Sequence, residues 1–141
     1  ITRLQNMGTP DYLISAACQM VLAQRLARRT CKDCRVPDDD VNPKVLQDLG
    51  FSPELASRAK AYKGKGCEKC SNTGYKGRQG IYEILVVSKP LKEAILRQAT
   101  TPELREIAIK EGFQMMQDMG RRLIASGDLN FREYERVLSS E

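Results

Sequence analysis

Four cysteines carry the chemistry open to this sequence. Cys31 and Cys34 form one C-x-x-C pair, and Cys67 and Cys70 form a second. Two such hooks separated by a long loop are the ligand pattern of a tetrahedral metal site, because each pair can turn its sulfurs inward to share one ion. Zinc suits soft thiolates and tetrahedral geometry. The chain contains no histidine, so a metal site built from it alone is all-cysteine. Four thiolates leave no coordination position for a reacting water, which points to a structural ion and away from catalysis. Two other readings of the same residues exist. Local disulfides or a redox-active pair require an oxidising compartment or a thioredoxin-like context. Four unrelated thiols would have to share a matched spacing by accident. The fifth cysteine, Cys18, lies in an apolar run without a partner nearby in sequence.

Basic residues crowd the hooks: Arg28, Arg29, Lys32, Arg35, Lys65 and Lys69. Four ionised thiols and a divalent ion together carry about −2 charge, which nearby cations would offset. Taken one at a time, the same residues also read as ordinary solvated lysines and arginines. Over 141 residues, 23 Lys and Arg against 18 Asp and Glu give a net charge of +5. That balance permits nucleic acid, anionic headgroups or acidic partners, but the charge reads as spread along the chain and not as one block. No apolar stretch is long enough to span a bilayer and no signal peptide is visible. Paired C-x-x-C thiols without a secretory signal favour the cytoplasm. The sequence starts at Ile1 inside an apolar pattern, which suggests a piece of a longer protein.

The elements that must position the cysteines follow from periodicity and punctuation. Residues 1–8 read as a helix end stopped by Gly8. Asp11 is placed to cap a second helix running to Met20, with Leu13, Ala16, Ala17 and Met20 on one face. The run from Val21 to Thr30 alternates as a strand would, although a helix also fits it. After Cys34, Val36 and Pro37 read as loop, followed by an acidic patch, Asp38 to Asp40. Pro43 starts a short helix closed by Gly50, and Ser52-Pro53-Glu54 starts another towards Lys60. Glycines at 64, 66, 74, 77 and 80 surround the second hook, as expected of a knuckle whose backbone N–H groups turn towards thiolate sulfurs. From Gly80 a strand alternates, with Ile81, Glu83, Leu85 and Val87 on one face and Tyr82, Ile84 and Val86 on the other. The remainder reads as four helices, starting at Ser88, at Thr101-Pro102-Glu103, near Gln114 and at Asn130, where Glu133 completes a capping-box pattern. Short connections imply one compact antiparallel bundle.

Four segments, ITRLQNMG, AQRLARRTCKDC, CEKCSNTGYKGRQGIYEIL and EGFQMMQDMGRRLIASG, resemble the C-terminal part of the secretion and pilus-assembly ATPases. These are the motors of type II secretion and of type IV or mannose-sensitive-haemagglutinin-type pilus extension. The resemblance implies an α/β fragment: the C-terminal part of a RecA-like ATPase domain with an inserted four-cysteine zinc subdomain and a C-terminal helical bundle. It divides the chain into the end of the core at 1–30, a zinc-binding insertion at 31–77, a returning core strand at 78–87 and a helical subdomain at 88–141. It implies Zn2+ held structurally by Cys31, Cys34, Cys67 and Cys70. It further implies neighbouring subunits in a homohexamer, an inner-membrane platform protein as partner, and a cytoplasmic place peripheral to that membrane through partners. Arg25 and Arg78, the arginines inside the matching motifs, become candidates for partner contact; salt bridges between the two strands are the competing role. Walker A, Walker B and the histidine-containing box are absent from these residues, so ATP and Mg2+ belong to the full-length parent and the fragment alone should be inactive.

The alternative is a stand-alone zinc-ribbon module binding nucleic acid or protein. Basic charge and four cysteines fit it. No aromatic cluster offers a stacking platform, and Tyr62, Tyr75 and Tyr82 read as packing residues, which makes nucleic acid the poorer choice.

Overall fold

The structure is a computed structural model that describes residues 1–139. Short helices α1 (Thr2–Asn6) and α2 (Asp11–Ala17) lead into the long strand β1 (Met20–Thr30). Strands β2 (Arg35–Pro37) and β3 (Tyr62–Gly64) bracket helices α3 (Pro43–Asp48) and α4 (Pro53–Arg58). A short 3-10 turn, Glu68–Cys70, precedes strand β4 (Tyr75–Val86). Helices α5 (Lys89–Leu96), α6 (Thr101–Lys110), α7 (Met116–Ser126) and α8 (Phe131–Leu138) complete the described chain. No helix among the described residues is long and apolar enough to cross a membrane.

β1 pairs with β4, and β2 with β3. The Cys31 amide donates to the Gly74 carbonyl at one end of the long pair, and the Val87 amide to the Gln19 carbonyl at the other. The two strands therefore run antiparallel. β1 has 11 residues and β4 has 12, and Gly77 lies inside β4 with φ of +80°. One extra residue with a left-handed glycine is the signature of a bulge. The strand thus begins at Tyr75, five residues before the Gly80 start expected from alternation, because Gly77 absorbs the bend that would otherwise break it. Beyond the bulge the expected faces hold: Ile81 and Val87 are buried, while Tyr82, Ile84 and Val86 are exposed.

Two compact units emerge. The first comprises residues 1–23 and 83–115. Its core is Ile14 from α2, Val87, Leu91, Ala94 and Ile95 around α5, and Leu104 and Ala108 from α6. The start of α5 follows the sequence expectation, with the Ser88 hydroxyl accepting from the Leu91 amide. α6 starts at Thr101 as expected and is capped by a Thr100–Glu103 capping box. α2 differs from expectation. It ends at Ala17, and Ile14 and Ser15 are its buried residues, whereas Leu13 and Met20 are exposed. Cys18 is extended, so the chain leaves the helix to enter β1 before a further turn can form. Asp11 caps nothing; its carboxylate accepts from the Gln5 and Gln98 side-chain amides.

The second unit comprises residues 24–82 and the chain from Met116 onward. α3 and α4 form as expected, with Asn42 and Ser52 as N-caps and prolines in the first turn. Val36 and Pro37, read as loop, instead form β2, in register with β3 at Arg35↔Gly64, Val36↔Lys63 and Pro37↔Tyr62. Three residues are too few for alternation to show, so only the partner strand reveals them. α7 and α8 belong to this unit, and α5 and α6 to the first. The single C-terminal bundle expected from loop lengths is therefore divided into two helix pairs. The physical reason lies in burial: α5 directs Leu91, Ala94 and Ile95 into the core of the first unit, whereas α8 is tied to β1 by Glu133.

Candidate metal centre

Each cysteine is set by a different local device. Cys31 ends β1 and is held by its own amide on Gly74. Cys34 stands just before β2, and its carbonyl accepts from the Lys65 amide at the start of the second hook's approach. Cys67 and Cys70 flank the 3-10 turn. The chain then passes through Ser71 and Asn72, both left-handed with φ of 51° and 59°. Asparagine tolerates that region better than most side chains. Gly64 and Gly74 cross so closely that a Cβ on Gly64 would stand 2.1 Å from the Gly74 carbonyl oxygen, and only glycine fits there.

The four Sγ atoms lie within 4.8 Å of one another. Cys31 and Cys67 are 3.9 Å apart, Cys34 and Cys70 3.9 Å, and Cys67 and Cys70 3.7 Å. A zinc–sulfur bond of about 2.3 Å gives a tetrahedron with edges of about 3.8 Å. The donor set therefore fits a zinc tetrathiolate centre in both element preference and spacing. The sulfurs are free thiols, so the local-disulfide reading fails, and their convergence rules out four unrelated cysteines. Cys18 lies outside the cluster.

The knuckle geometry follows the sequence expectation. Backbone amides of Cys67 and Gly74 donate to Cys70 Sγ at 3.2 and 3.3 Å. Burial pushes the Cys70 thiol up, but these two amides and the neighbouring thiols outweigh it and bring its pKa down to about 6. Cys34 moves the other way. Burial and the three surrounding sulfurs push it up to about 12 against the pull of the Gly66 amide. Thiols that ligate a metal give up their protons as it enters.

The surrounding cations are mostly paired with acids. Arg28 binds Glu133, and Arg29 and Lys32 bind Asp128. Arg35 donates to the Ser126 carbonyl and lies over the Tyr62 ring. Arg28 lies over the Tyr75 ring, whose hydroxyl accepts from Asn130. Lys69 and Lys76 share Asp33. The charge is also less evenly spread than the linear sequence suggests, because residues 24–82 hold thirteen Lys and Arg against seven Asp and Glu. Of the two arginines singled out in the motifs, Arg25 donates to the Val137 carbonyl at the end of α8, and Arg78 is exposed on β4.

Several residues that shape the site escaped sequence reasoning. Asp33, Asp128 and Arg121, which donates to the Leu49 carbonyl, all act across long sequence separations. Asp33 alone had a visible signal: the two hooks carry mirrored charges, Lys32-Asp33 in one and Glu68-Lys69 in the other.

Comparison with known proteins supplies the context of the site. Residues 1–136 match the family described as Type II/IV secretion system protein. The Type IV pilus assembly ATPase PilB of Thermus thermophilus is 43% identical over 120 residues, covering 85% of this chain and 13% of that protein. PilB of Myxococcus xanthus is 35% identical over 133 residues, covering 94% of this chain and 24% of its own length. The Type II secretion system protein E of Aeromonas hydrophila is 43% identical over 96 residues, covering 67% of this chain and 18% of that protein. The chain thus spans a quarter or less of the length of these relatives, and on the strength of a match running through nearly all of its own residues, it belongs to the Type II/IV secretion system protein family.

Proposed function

We propose that this chain is the zinc-holding C-terminal portion of a secretion or pilus-extension motor ATPase. One Zn2+, bound by Cys31, Cys34, Cys67 and Cys70, staples residues 31–74 between β1 and β4. The observation that carries this reading is the convergence of four sulfurs within 4.8 Å, in a chain whose relatives are named as pilus-assembly ATPases and type II secretion proteins. The ion's contribution is structural: four thiolates close its coordination shell, and binding free energy becomes folding free energy. β1 and β4 serve as strands of a RecA-like sheet, with ATP and Mg2+ bound by upstream parts of the parent. The parent works as a cytoplasmic homohexamer that passes subunit motion to an inner-membrane platform protein.

Native mass spectrometry tests the metal: one zinc per chain is expected, and a chain that folds without any zinc overturns the assignment. The coupling surface is tested in the full-length parent. Arg78 is the cleaner probe, because it is exposed, whereas Arg25 is bound to α8 and its reversal would disturb the fold. Arg78→Glu should retain zinc and folding but abolish extension or secretion; full activity would remove Arg78 from the coupling surface.

A stand-alone nucleic-acid-binding ribbon is disfavoured by the use already made of its best groups. The rings of Tyr62 and Tyr75 are covered by Arg35 and Arg28, which removes them as stacking platforms for bases. The hooks also join a larger unit that includes α7 and α8. A salt-sensitive gel shift by the zinc-loaded chain would reinstate the ribbon.

A further inference from the structure

The middle residues of the two hooks touch. Lys69 Nζ lies 2.7 Å from Asp33 Oδ1, and Lys76 Nζ lies 3.7 Å from Asp33 Oδ2. Asp33 belongs to the first C-x-x-C, Lys69 to the second and Lys76 to the start of β4, so one carboxylate gathers three segments. We propose that Asp33, with Lys69 and Lys76, is a latch that positions the second hook against the first and so sets the affinity of the four-cysteine site for zinc. This rests on the zinc reading above and adds positioning residues to it.

The latch differs from a surface ion pair in what it joins. Asp33 and Lys69 side chains are 36% and 65% exposed, and exposed pairs contribute little to global stability. Here the pair fixes the separation of two ligand-bearing turns, and outer-shell partners of that kind change metal affinity by about 10–100-fold when removed. Solvent exposure places this one below that range, at about threefold to tenfold. The hooks have other connections, notably Cys31 to Gly74 and Lys65 to Cys34 through the backbone, so the zinc-loaded fold does not depend on the latch.

A plain electrostatic role makes the opposite prediction for one residue. A zinc ion with four thiolates carries about −2 charge. If Asp33 and Lys69 acted only as charges near it, neutralising Asp33 would strengthen zinc binding and neutralising Lys69 would weaken it. If they act as a latch, both changes weaken it.

The test is competition for zinc between the chain and a chromophoric chelator at neutral pH, with the fold of each loaded protein followed by circular dichroism. Asp33→Asn and Lys69→Gln should each lower zinc affinity about threefold to tenfold. Lys69→Arg, which keeps the contact, should stay near wild type. Unchanged or tighter binding by Asp33→Asn overturns the latch. Wild-type protein that takes up no zinc overturns the metal assignment itself, an outcome distinct from a wild type that binds zinc and variants that match it.

Discussion

Glu133 is 1% exposed, and its carboxylate is shared by the Arg28 guanidinium, the Arg28 amide and Arg136. Burial alone would raise its pKa; the hydrogen bonds from Arg136 and Arg28 prevail and hold it at about 2, below its ordinary 4.5. A depressed carboxylate stabilises the fold fully above its unfolded pKa and loses that contribution as pH falls through the folded one. Glu133→Gln should therefore cost about 2–3 kcal/mol at neutral pH, somewhat less than a fully buried pair because both arginines are half-exposed. Chemical denaturation of the zinc-loaded protein measures it. The gap between wild type and variant should close between about pH 4.5 and 2, which parallel acid titrations of the two proteins would follow. A gap that persists at the acid end would assign the loss to packing. Among the cysteines, Cys70→Ser should abolish stoichiometric zinc and Cys18→Ser should not, as counted by metal analysis of the purified chains. At this scale the cysteine cluster was legible from spacing. Glu133 was legible only as half of a cap: Asn130 does accept from the Glu133 amide, but the carboxylate turns to Arg28, 105 positions away. Local pattern carries no trace of such a partner.

Elements were legible where punctuation is local. Helices α3 and α4 start at their prolines and α5 one residue before its own, because caps and first-turn residues act within a few positions. β2 and the early start of β4 were hidden because both depend on a paired strand or on a glycine's left-handed geometry. Helix packing depends on close contacts of the same non-local kind. A Cβ on Gly120 in α7 would stand 2.5 Å from Leu138 Cδ1 and 2.6 Å from Tyr134 Cε2 on α8. Gly120→Ala should thus destabilise the second unit by about 1–3 kcal/mol through overpacking, read as a melting temperature several degrees lower. A neutral result would mean that α7 and α8 have room to part. Gly74→Ala faces both a φ of +76° and a Cβ 2.6 Å from the Gly64 carbonyl oxygen. It should weaken zinc retention more than any substitution on the exposed face of α3 or α4, a ranking that chelator competition can read.

For the molecule as a whole, two compact units predict that loss of the proposed zinc is a regional event. Structural zinc contributes about 10–16 kcal/mol of apparent binding free energy in small modules. Its removal by a chelator should raise amide exchange first across residues 31–74, while the Leu91, Ala94 and Ile95 core of the first unit keeps its protection. Simultaneous loss of protection throughout would show that the ion supports the entire chain. Family membership was legible from four short segments, since motif identity survives in a linear string. The division into units was not, because the contacts that assign α7 and α8 span about a hundred positions.

The three residue pairs between β2 and β3 form a neck that follows Cys34 and precedes Cys67 in the chain. Residues 38–61, with α3 and α4, lie on the far side of it. Lengthening a loop beyond a closed neck costs only a slowly growing entropy, so that lobe is free to vary in size, while even one residue added between Cys34 and Arg35, or between Gly64 and Cys67, would swing a hook off its corner of the tetrahedron. Evolution and engineers alike have a place here to change cargo without touching the clasp.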